Sequence, residues 1–569
     1  MSRAAVPRSG TPEKSAAPSR PVGKRPPAAR AVMRRRLLAS AAIAVAVVLL
    51  FVAYLRMSRT YTENSDSANI LLMSWDMLHG NLLLHGWYLS DVSFYPTELP
   101  QYALLESLIG LHADTAHVAA AMTYTLVVLV AVLLARGPRD HRASGRPVVG
   151  SAWPSMALTA GLMIAPQLGV GVFVLLLSVG HIGTAIPLML TWLVIDWSLT
   201  RPRWFIPVIA GLLLTWVQMA DPLVLVVGIV PLAAVCAMRV IRAVLAADAG
   251  ERGAAVQARW YEVSLAAAAI LAYGLAALVN RLLQASGGFV VHPLGYKLAP
   301  VHTWPKHAWV TGEGLLALFG AKPQGPAAVM AFAVLHLAGV ALVAWAMWRV
   351  ARRLFSWPDL ISQVLLVAMV LNVLVYVPST LANATDLNAR EFAVVLPFGA
   401  VLAGRVLAGP LATRGEPGIL GWLRGARWRA GLASVLAAGY LASLGYAVAQ
   451  PPVPPANAQL AAFLTEHHLT NGVSGYWLSS IVTVGSDGAA TVRAVQPSLR
   501  PYLWEAKGSW YDPGSQRATF VVTDDQAGYF NRWELSASAL AALGPPARTY
   551  HVGPYTVLVW NTNLLAGPG

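Results

Sequence analysis

The sequence predicts an α-helical polytopic membrane protein of about eleven transmembrane helices, followed by a C-terminal α/β domain outside the membrane. Three observations carry that expectation. Hydrophobic residues make up 56% of the chain and charged residues only 12%, where soluble domains carry about 25% charge. Runs of roughly 20 apolar residues recur, each long enough to cross the hydrocarbon core of a bilayer. After the Pro-rich joint at Gln450–Pro455 those runs stop, and mixed polar and apolar sequence continues to the end.

Residues 1–36 are rich in Pro, Ala, Ser and Arg and poor in large apolar side chains. Such a segment has little to bury, so it reads as a disordered basic cytoplasmic tail. It ends in Arg34-Arg35-Arg36, directly before the apolar run 37–55. No small-x-small cleavage site follows that run, which makes it an uncleaved first span rather than a signal peptide. Within a membrane domain over 37–450, further spans fall near 115–135, 153–168, 173–195, 204–220, 223–240, 263–283, 326–348, 360–377, 392–409 and 430–448. With the amino terminus inside, about two thirds of the 41 Lys and Arg lie on the cytoplasmic side and most of the 26 acids lie outside. This agrees with the positive-inside rule. The net charge of +15 then reflects orientation and attraction to anionic membrane lipids, not a nucleic-acid surface. The lone cysteine, Cys236, sits in an apolar run and leaves no intramolecular disulfide to form.

The outer loops carry the polar chemistry. The first, 56–114, is acid-rich: Glu63, Asp66, Asp76, Asp91 and Glu98 alternate with Trp75, Trp87, Tyr88, Phe94 and Tyr95. That mixture suits the gripping of a polar substrate beside a membrane. Helical spacing from Asp66 to Leu82 sets Asp66, Asn69, Met73 and Asp76 on one side and Leu71, Trp75, Leu78 and Leu82 opposite. Such a helix would lie along the bilayer surface with its carboxylates toward water. Asn64 and Ser65 offer caps, and the helix dipole favours an ionised Asp66 in the first turn, a candidate base. The second outer loop, around Pro166–Gly171, has no acid, and the third brings Asp221-Pro222 between two spans. The fourth, 284–325, brings Lys297 and Lys306 among several histidines, and the fifth brings Asp386, Arg390 and Glu391 to the membrane surface.

Each candidate has a plainer reading. A lone acid at a helix start is usually a solvated cap; the neighbouring acids and aromatics are what make Asp66 a functional candidate. Glu98 could orient an acceptor or be the base itself, or merely begin the next helix. His181 lies inside span 173–195 and Asp221 at a span end, where ionisable groups are functional candidates. His181 and His336 also fit as neutral histidines packed between helices, and Asp221-Pro222 as a helix cap. No histidine pair has helical metal-binding spacing, so no zinc site is expected. In the extracytoplasmic domain, 451–569, strands are expected at 479–484, 491–495, 519–522 and 555–560. A hairpin turn is expected at Ser486-Asp487-Gly488, with helices at 457–466 and 537–543. Its tryptophans fit a small core as well as they fit sugar stacking.

A basic tail, one span, and then a long outer loop opening with an acid resembles the GT-C superfamily of polyprenyl-phosphate-sugar-dependent glycosyltransferases. Protein O-mannosyltransferases and the aminoarabinose transferase of lipid A are its familiar members. The N-S-D-S-A-N opening and the later G-N-L-L-L-H-G-W look like a poorly characterised actinobacterial branch of such proteins. The resemblance implies a polyprenyl-phosphate-linked sugar donor and a glycan, lipid or protein acceptor. Asp66 would be the general base that deprotonates the acceptor hydroxyl, with inversion at the anomeric carbon and Glu98 assisting. Arg390 would meet the charge on the leaving phosphate, with Lys297 and Lys306 in reserve; Glu391, Asp221, His181 and Trp87 would complete the binding site. No cofactor is implied. The chain has Asp66-Ser67 where mannosyltransferases have an adjacent Asp-Glu pair, and no acid in its second outer loop, which leaves the acceptor and a divalent cation open. Two other classes stay in play, a lipid or glycan transporter and a non-catalytic envelope-assembly protein. A transferase needs Asp66, Glu98 and Arg390 around one outward cavity, whereas a transporter needs a polar path through the midplane.

Overall fold

A computed structural model describes residues 27–137, 152–177, 180–382, 385–408, 427–455, 457–526 and 528–566. The expected disorder of the first 26 residues lies outside the described residues. From Pro27 onward the tail is already helical, a correction: helix α1 spans Pro27–Ser58, because Ala- and Arg-rich sequence without Gly or Pro after residue 27 simply extends the first span backwards. The chain divides into two units, residues 1–50 and 51–569. Everything below concerns the second.

The segment after α1 forms α2 (Ser65–Leu78), strand β1 (Trp87–Leu89) and α3 (Glu98–Ile109). The membrane domain continues with α4 (Asp114–Ala135), α5 (Trp153–Met163), α6 (Val170–Leu176), α7 (Ala185–Ser198), α8 (Phe205–Ala220) and α9 (Val230–Leu245), the last preceded by a π-helical turn at Leu225–Ile229. Then follow α10 (Arg252–Ala258), α11 (Trp260–Ala285), strand β2 (Val290–Val291), α12 (Trp304–Leu318), α13 (Ala327–Ala351), α14 (Leu360–Tyr376), α15 (Val395–Ala403) and α16 (Arg427–Val448). Among the described residues, five helices are long and apolar enough to cross a membrane, and five shorter apolar helices accompany them. This is the expected polytopic helical architecture.

Two expected spans are not continuous helices. The segment 173–195 breaks into α6 and α7, with the described residues between them non-helical around Gly180 and Gly183. Non-helical backbone at membrane depth is tolerated where it lines a cavity, and this break carries His181. The segment 153–168 ends as a helix at Met163, two residues before Ala165-Pro166, where the residue preceding a proline is steered out of helical geometry.

The C-terminal part is the expected α/β domain. Helix α17 (Ala458–Glu466), strand β3 (Asn471–Ser474), α18 (Tyr476–Gly485), strands β4 (Thr491–Ala494), β5 (Ala506–Lys507) and β6 (Phe520–Asp524), α19 (Ala537–Ala542) and the hairpin β7 (Arg548–Val552) and β8 (Tyr555–Val559) follow in order. The main sheet has the order β4-β3-β6-β8-β7, with β3 parallel to both β4 and β6. The strand expected at 479–484 is instead within helix α18, and Ser486–Gly488 ends that helix rather than turning a hairpin. Parallel β3 and β4 cannot be joined by a tight turn, so the connection must cross over, and a helix does so while burying Leu478 and Val482.

A second sheet, β2-β1-β5, joins two loops of the membrane domain to this domain: Trp87 pairs with Lys507 and Tyr88 with Val290. Lys507 Nζ also meets Asp76 Oδ2 at 3.0 Å. Helix α2 therefore does not turn its carboxylate side to water as expected. It packs against α3 and α18 and buries Ile70, Leu71 and Met73, because a polar domain covers the side that sequence periodicity assigned to water.

Candidate active site

The acid at the start of α2 is held from both sides. Asn64 caps the helix and forms a capping box with Ser67, which turns Asp66 away from the helix axis in its first turn. Asp66 Oδ2 accepts a hydrogen bond from Arg390 Nη1 at 2.9 Å, and Oδ1 accepts one from the Tyr476 hydroxyl at 2.7 Å. Arg390 and Glu391 stand on the short 3-10 helix Asp386–Phe392, with Arg390 Nε 3.6 Å from Glu391 Oε1. Glu391 Oε2 lies 2.9 Å from His181 Nε2, and His181 Nδ1 lies 2.7 Å from Asp221 Oδ2. A neutral imidazole has a single N–H, so both bonds are made when the ring carries two protons. Asp221 also accepts from Thr184 Oγ1 at 2.5 Å and from the Leu223 amide at 2.8 Å. It therefore caps the following turn, as its plainer reading held, and anchors His181 as well.

This chain of alternating charge, from Asp66 through Arg390, Glu391 and His181 to Asp221, borders one cavity of about 320 Å3, with Tyr476 bonded to Asp66 behind it. One wall is polar, with Asp66, Asp91, Arg390 and Glu391; another is apolar, with Leu223, Val226, Val375 and Leu381. Asp91 has no side-chain partner among the described residues. Burial, reinforced by the Glu391 charge, raises its proton affinity above that of an ordinary aspartate.

The C-terminal domain completes this wall. Glu505 and Trp504 line the cavity, and Glu505 adopts φ +50°, a conformation non-glycine residues seldom take. Its Oε2 lies 2.8 Å from the Tyr476 hydroxyl and accepts from Asn69 Nδ2 at 3.0 Å. The phenol has one proton to share between Asp66 and Glu505, so both contacts are hydrogen bonds only if one carboxyl keeps its own. Burial, with the Asp66 charge adding to it, pushes Glu505 up to about 8, so Glu505 holds the proton. Because the folded state raises this affinity, ionising Glu505 favours unfolding, and stability falls as pH rises from the ordinary carboxylate range through about 8. Melting temperatures of the detergent-solubilised protein at pH 6 and pH 9 should show that drop in the wild type and a flatter profile in Glu505→Gln.

Of the residues expected at a site, Asp66, Arg390, Glu391, Asp221 and His181 converge on this cavity. Others do not. Glu98 is buried behind Gly183, takes a hydrogen bond from the Thr97 hydroxyl and is pushed by burial up to about 7; it is not among the residues lining the cavity. Lys297 and Lys306 are exposed and also absent from the lining. Trp87 is a core residue, 1% exposed, with its indole N–H donated to Asp76 Oδ2 at 2.7 Å. The side chain of Asp386 lies outside the described residues. His336 stacks on Tyr440 with ring centroids 4.0 Å apart, as its plainer reading expected. Among the described residues, no group of three or more His, Cys, Asp or Glu is arranged to hold a metal ion. Sequence reading missed Tyr476 and Glu505, and Trp504 enters it only among the tryptophans that fit sugar stacking. Their only local signal is an acid beside a tryptophan in a polar domain, since their proximity to Asp66 comes from a contact spanning more than 400 residues.

No protein-family model matches the chain, and no curated protein matches it. Solved structures do. The crystal structure of ArnT from Cupriavidus metallidurans bound to undecaprenyl phosphate is similar over 93% of this chain and 99% of its own, at 13% identity and a TM-score of 0.52. An oligosaccharyltransferase from Archaeoglobus fulgidus in the apo form is similar over 91% of this chain and 75% of its own, at 12% identity and a TM-score of 0.43. The likeness to the first shows the fold, the GT-C fold, a membrane-embedded helical domain followed by a C-terminal domain with a sheet.

Proposed function

We propose that this multi-pass membrane protein of GT-C fold is a glycosyltransferase. It moves a sugar from a polyprenyl-phosphate donor to an acceptor hydroxyl on the outer face of the membrane, with inversion and with Asp66 as general base. The single observation that carries the proposal is the convergence of Asp66 and Arg390, from opposite ends of the membrane domain's sequence, on one cavity with a polar and an apolar wall. The similarity to a structure bound to undecaprenyl phosphate supports the donor class.

In this reading the acceptor hydroxyl gives its proton to Asp66 as its oxygen bonds to the anomeric carbon. The bond from that carbon to the phosphate oxygen breaks, and polyprenyl phosphate leaves. The two hydrogen bonds already made to Asp66 aim it, and the lone pairs left on each oxygen remain for the acceptor. Arg390 meets the charge that grows on the leaving phosphate. The isoprenoid runs along Val226 and Val375, while His181, doubly protonated between Glu391 and Asp221, fixes the position of Glu391 and thereby of Arg390. Glu98 sits too far behind Gly183 to share the base role, so Asp91 is the acid that takes the acceptor-orienting position. The transporter and assembly-protein alternatives are not favoured, since the ionisable groups His181, Asp221 and Glu391 are tied to one another beside the cavity.

The test is transfer in vitro from a labelled polyprenyl-phosphate sugar, wild type against Asp66→Asn. Equal turnover by the two proteins would remove the mechanism. Arg390→Ala is expected to lower kcat by ~10²-fold, the scale of losing one fixed donor to a developing anion. Lys297→Ala and Lys306→Ala should stay near wild type in the same assay.

A further inference from the structure

A second cavity, of about 350 Å3, lies at the other end of the membrane helices. Helix α9 follows the turn that carries Asp221 and runs away from the Asp66 cavity; from Val230 to Arg239 it rises about 14 Å. At its far end Arg239 and Arg242 line the second cavity together with Arg259, at the start of α11, and the turn Phe355–Pro358. No carboxylate is among the lining residues. The nearest acid in contact is Glu262, whose Oε1 accepts from Arg259 Nη1 at 2.8 Å.

These arginines are not simply reaching for water. Arg239 donates through Nε to Gln363 Oε1 at 2.6 Å and through Nη2 to the Trp357 and Pro358 carbonyls at 3.2 and 2.9 Å. Arg242 Nη1 donates to the Phe355 carbonyl. Neutral carbonyl and amide oxygens orient two of the three guanidinium groups without neutralising them, which leaves Arg239 Nη1 and the Nε edge of Arg242 for a further acceptor. Three cations around one hollow, with Glu262 in contact and Asp359 acting on Arg239 from beside it, still repel each other until an anion enters. Beside the cavity Phe355 is 67% exposed, an apolar surface where a membrane lipid would rest its chains. Guanidinium forks match phosphate oxygens in spacing and charge.

We infer that this cavity is a binding site for a phosphate group, presented by an anionic phospholipid headgroup or free in solution, on the membrane face opposite the Asp66 cavity. The inference is independent of the transferase reading, since it uses none of the same residues.

The test uses the full-length protein in nanodiscs or detergent, with lipid retention read by native mass spectrometry. Phosphatidylglycerol is offered against phosphatidylcholine. The wild type is expected to keep phosphatidylglycerol selectively. Arg242→Gln/Arg259→Gln, which spares the structural bonds of Arg239, should lower that selectivity by ~10-fold or more. A control of equal charge change on the same face, Arg201→Gln/Arg203→Gln, should leave it unchanged. Loss of selectivity in the control to the same extent would overturn the site in favour of a diffuse basic surface, and wild-type retention by the Arg242/Arg259 variant would overturn it outright. In a separate arm, inorganic phosphate alone is titrated against thermal stability. A rise in Tm in the wild type but not in the variant assigns the site to the phosphate group itself; selective lipid retention without that rise assigns it to the intact headgroup.

Discussion

Asp66→Asn is expected to lower turnover by ~10²–10⁴-fold, the usual range for removing a placed proton acceptor. The substitution keeps the size and planarity of the side chain but removes the charge that faces Arg390 Nη1 at 2.9 Å. An amide can still accept one hydrogen bond, from either Arg390 or Tyr476, but it takes no proton from an incoming hydroxyl. The loss should therefore fall on kcat more than on donor KM, because the donor's phosphate and isoprenoid meet Arg390 and the apolar wall instead. Asp66→Glu retains the base but lengthens it by a methylene in a position fixed at two oxygens, so intermediate activity is expected. Steady-state transfer kinetics for the three proteins, with Tm measured alongside, separate chemistry from folding. A normal Tm with wild-type kcat in Asp66→Asn would end the assignment.

The second large effect lies away from the cavity. Arg405, 1% exposed at its side chain, sits between Asp196 and Asp359, each at most 4% exposed. Its Nη2 donates to Asp196 Oδ1 and Asp359 Oδ1, both at 2.8 Å, its Nε to Asp359 Oδ2 at 2.9 Å, and its Nη1 to Asp196 Oδ2 at 3.1 Å and the Leu134 carbonyl at 2.8 Å. Every guanidinium donor has a partner, and α4, α7 and α14 are tied to the end of α15 through one side chain. Arg405→Met leaves two carboxylates facing each other out of water, which should cost about 3–5 kcal/mol of stability and most of the folded yield. Adding Asp196→Asn and Asp359→Asn to Arg405→Met removes the stranded charges, so partial recovery is expected. Arg405→Lys supplies the charge without the fork and should recover less than half of the loss. Detergent-solubilised yield and Tm check the series; a stable single Arg405→Met protein would refute the role.

What could be read in the chain and what could not follow from range. Asp66 was legible because its signals are local: Asn64 before it, a helical run after it, and acids and aromatics within one loop. Arg390 and Glu391 were legible, with Asp386, as the charged residues of one short loop between apolar runs. Trp87 and Glu98 misled for a common reason. Each sits in the right loop, but burial is a property of what packs around a residue, and the covering elements come from far along the chain, as Gly183 does for Glu98 and Lys507 for Trp87. The helix at 476–485 was missed because its alternating serines and valines satisfy strand periodicity, while the parallel pairing that demands a crossover lies outside the window.

By itself the sequence determined the class. The recurrence of apolar runs forces membrane spans, because backbone polar groups in lipid must be satisfied within a helix, and the loss of apolar runs after Pro455 marks off the C-terminal domain. The tertiary structure alone decided which charges meet. Asp66, Arg390, His181, Asp221 and Glu505 come from five separate segments, and a carboxylate's partner, protonation and reach depend on distances of a few ångströms that no spacing along the chain encodes.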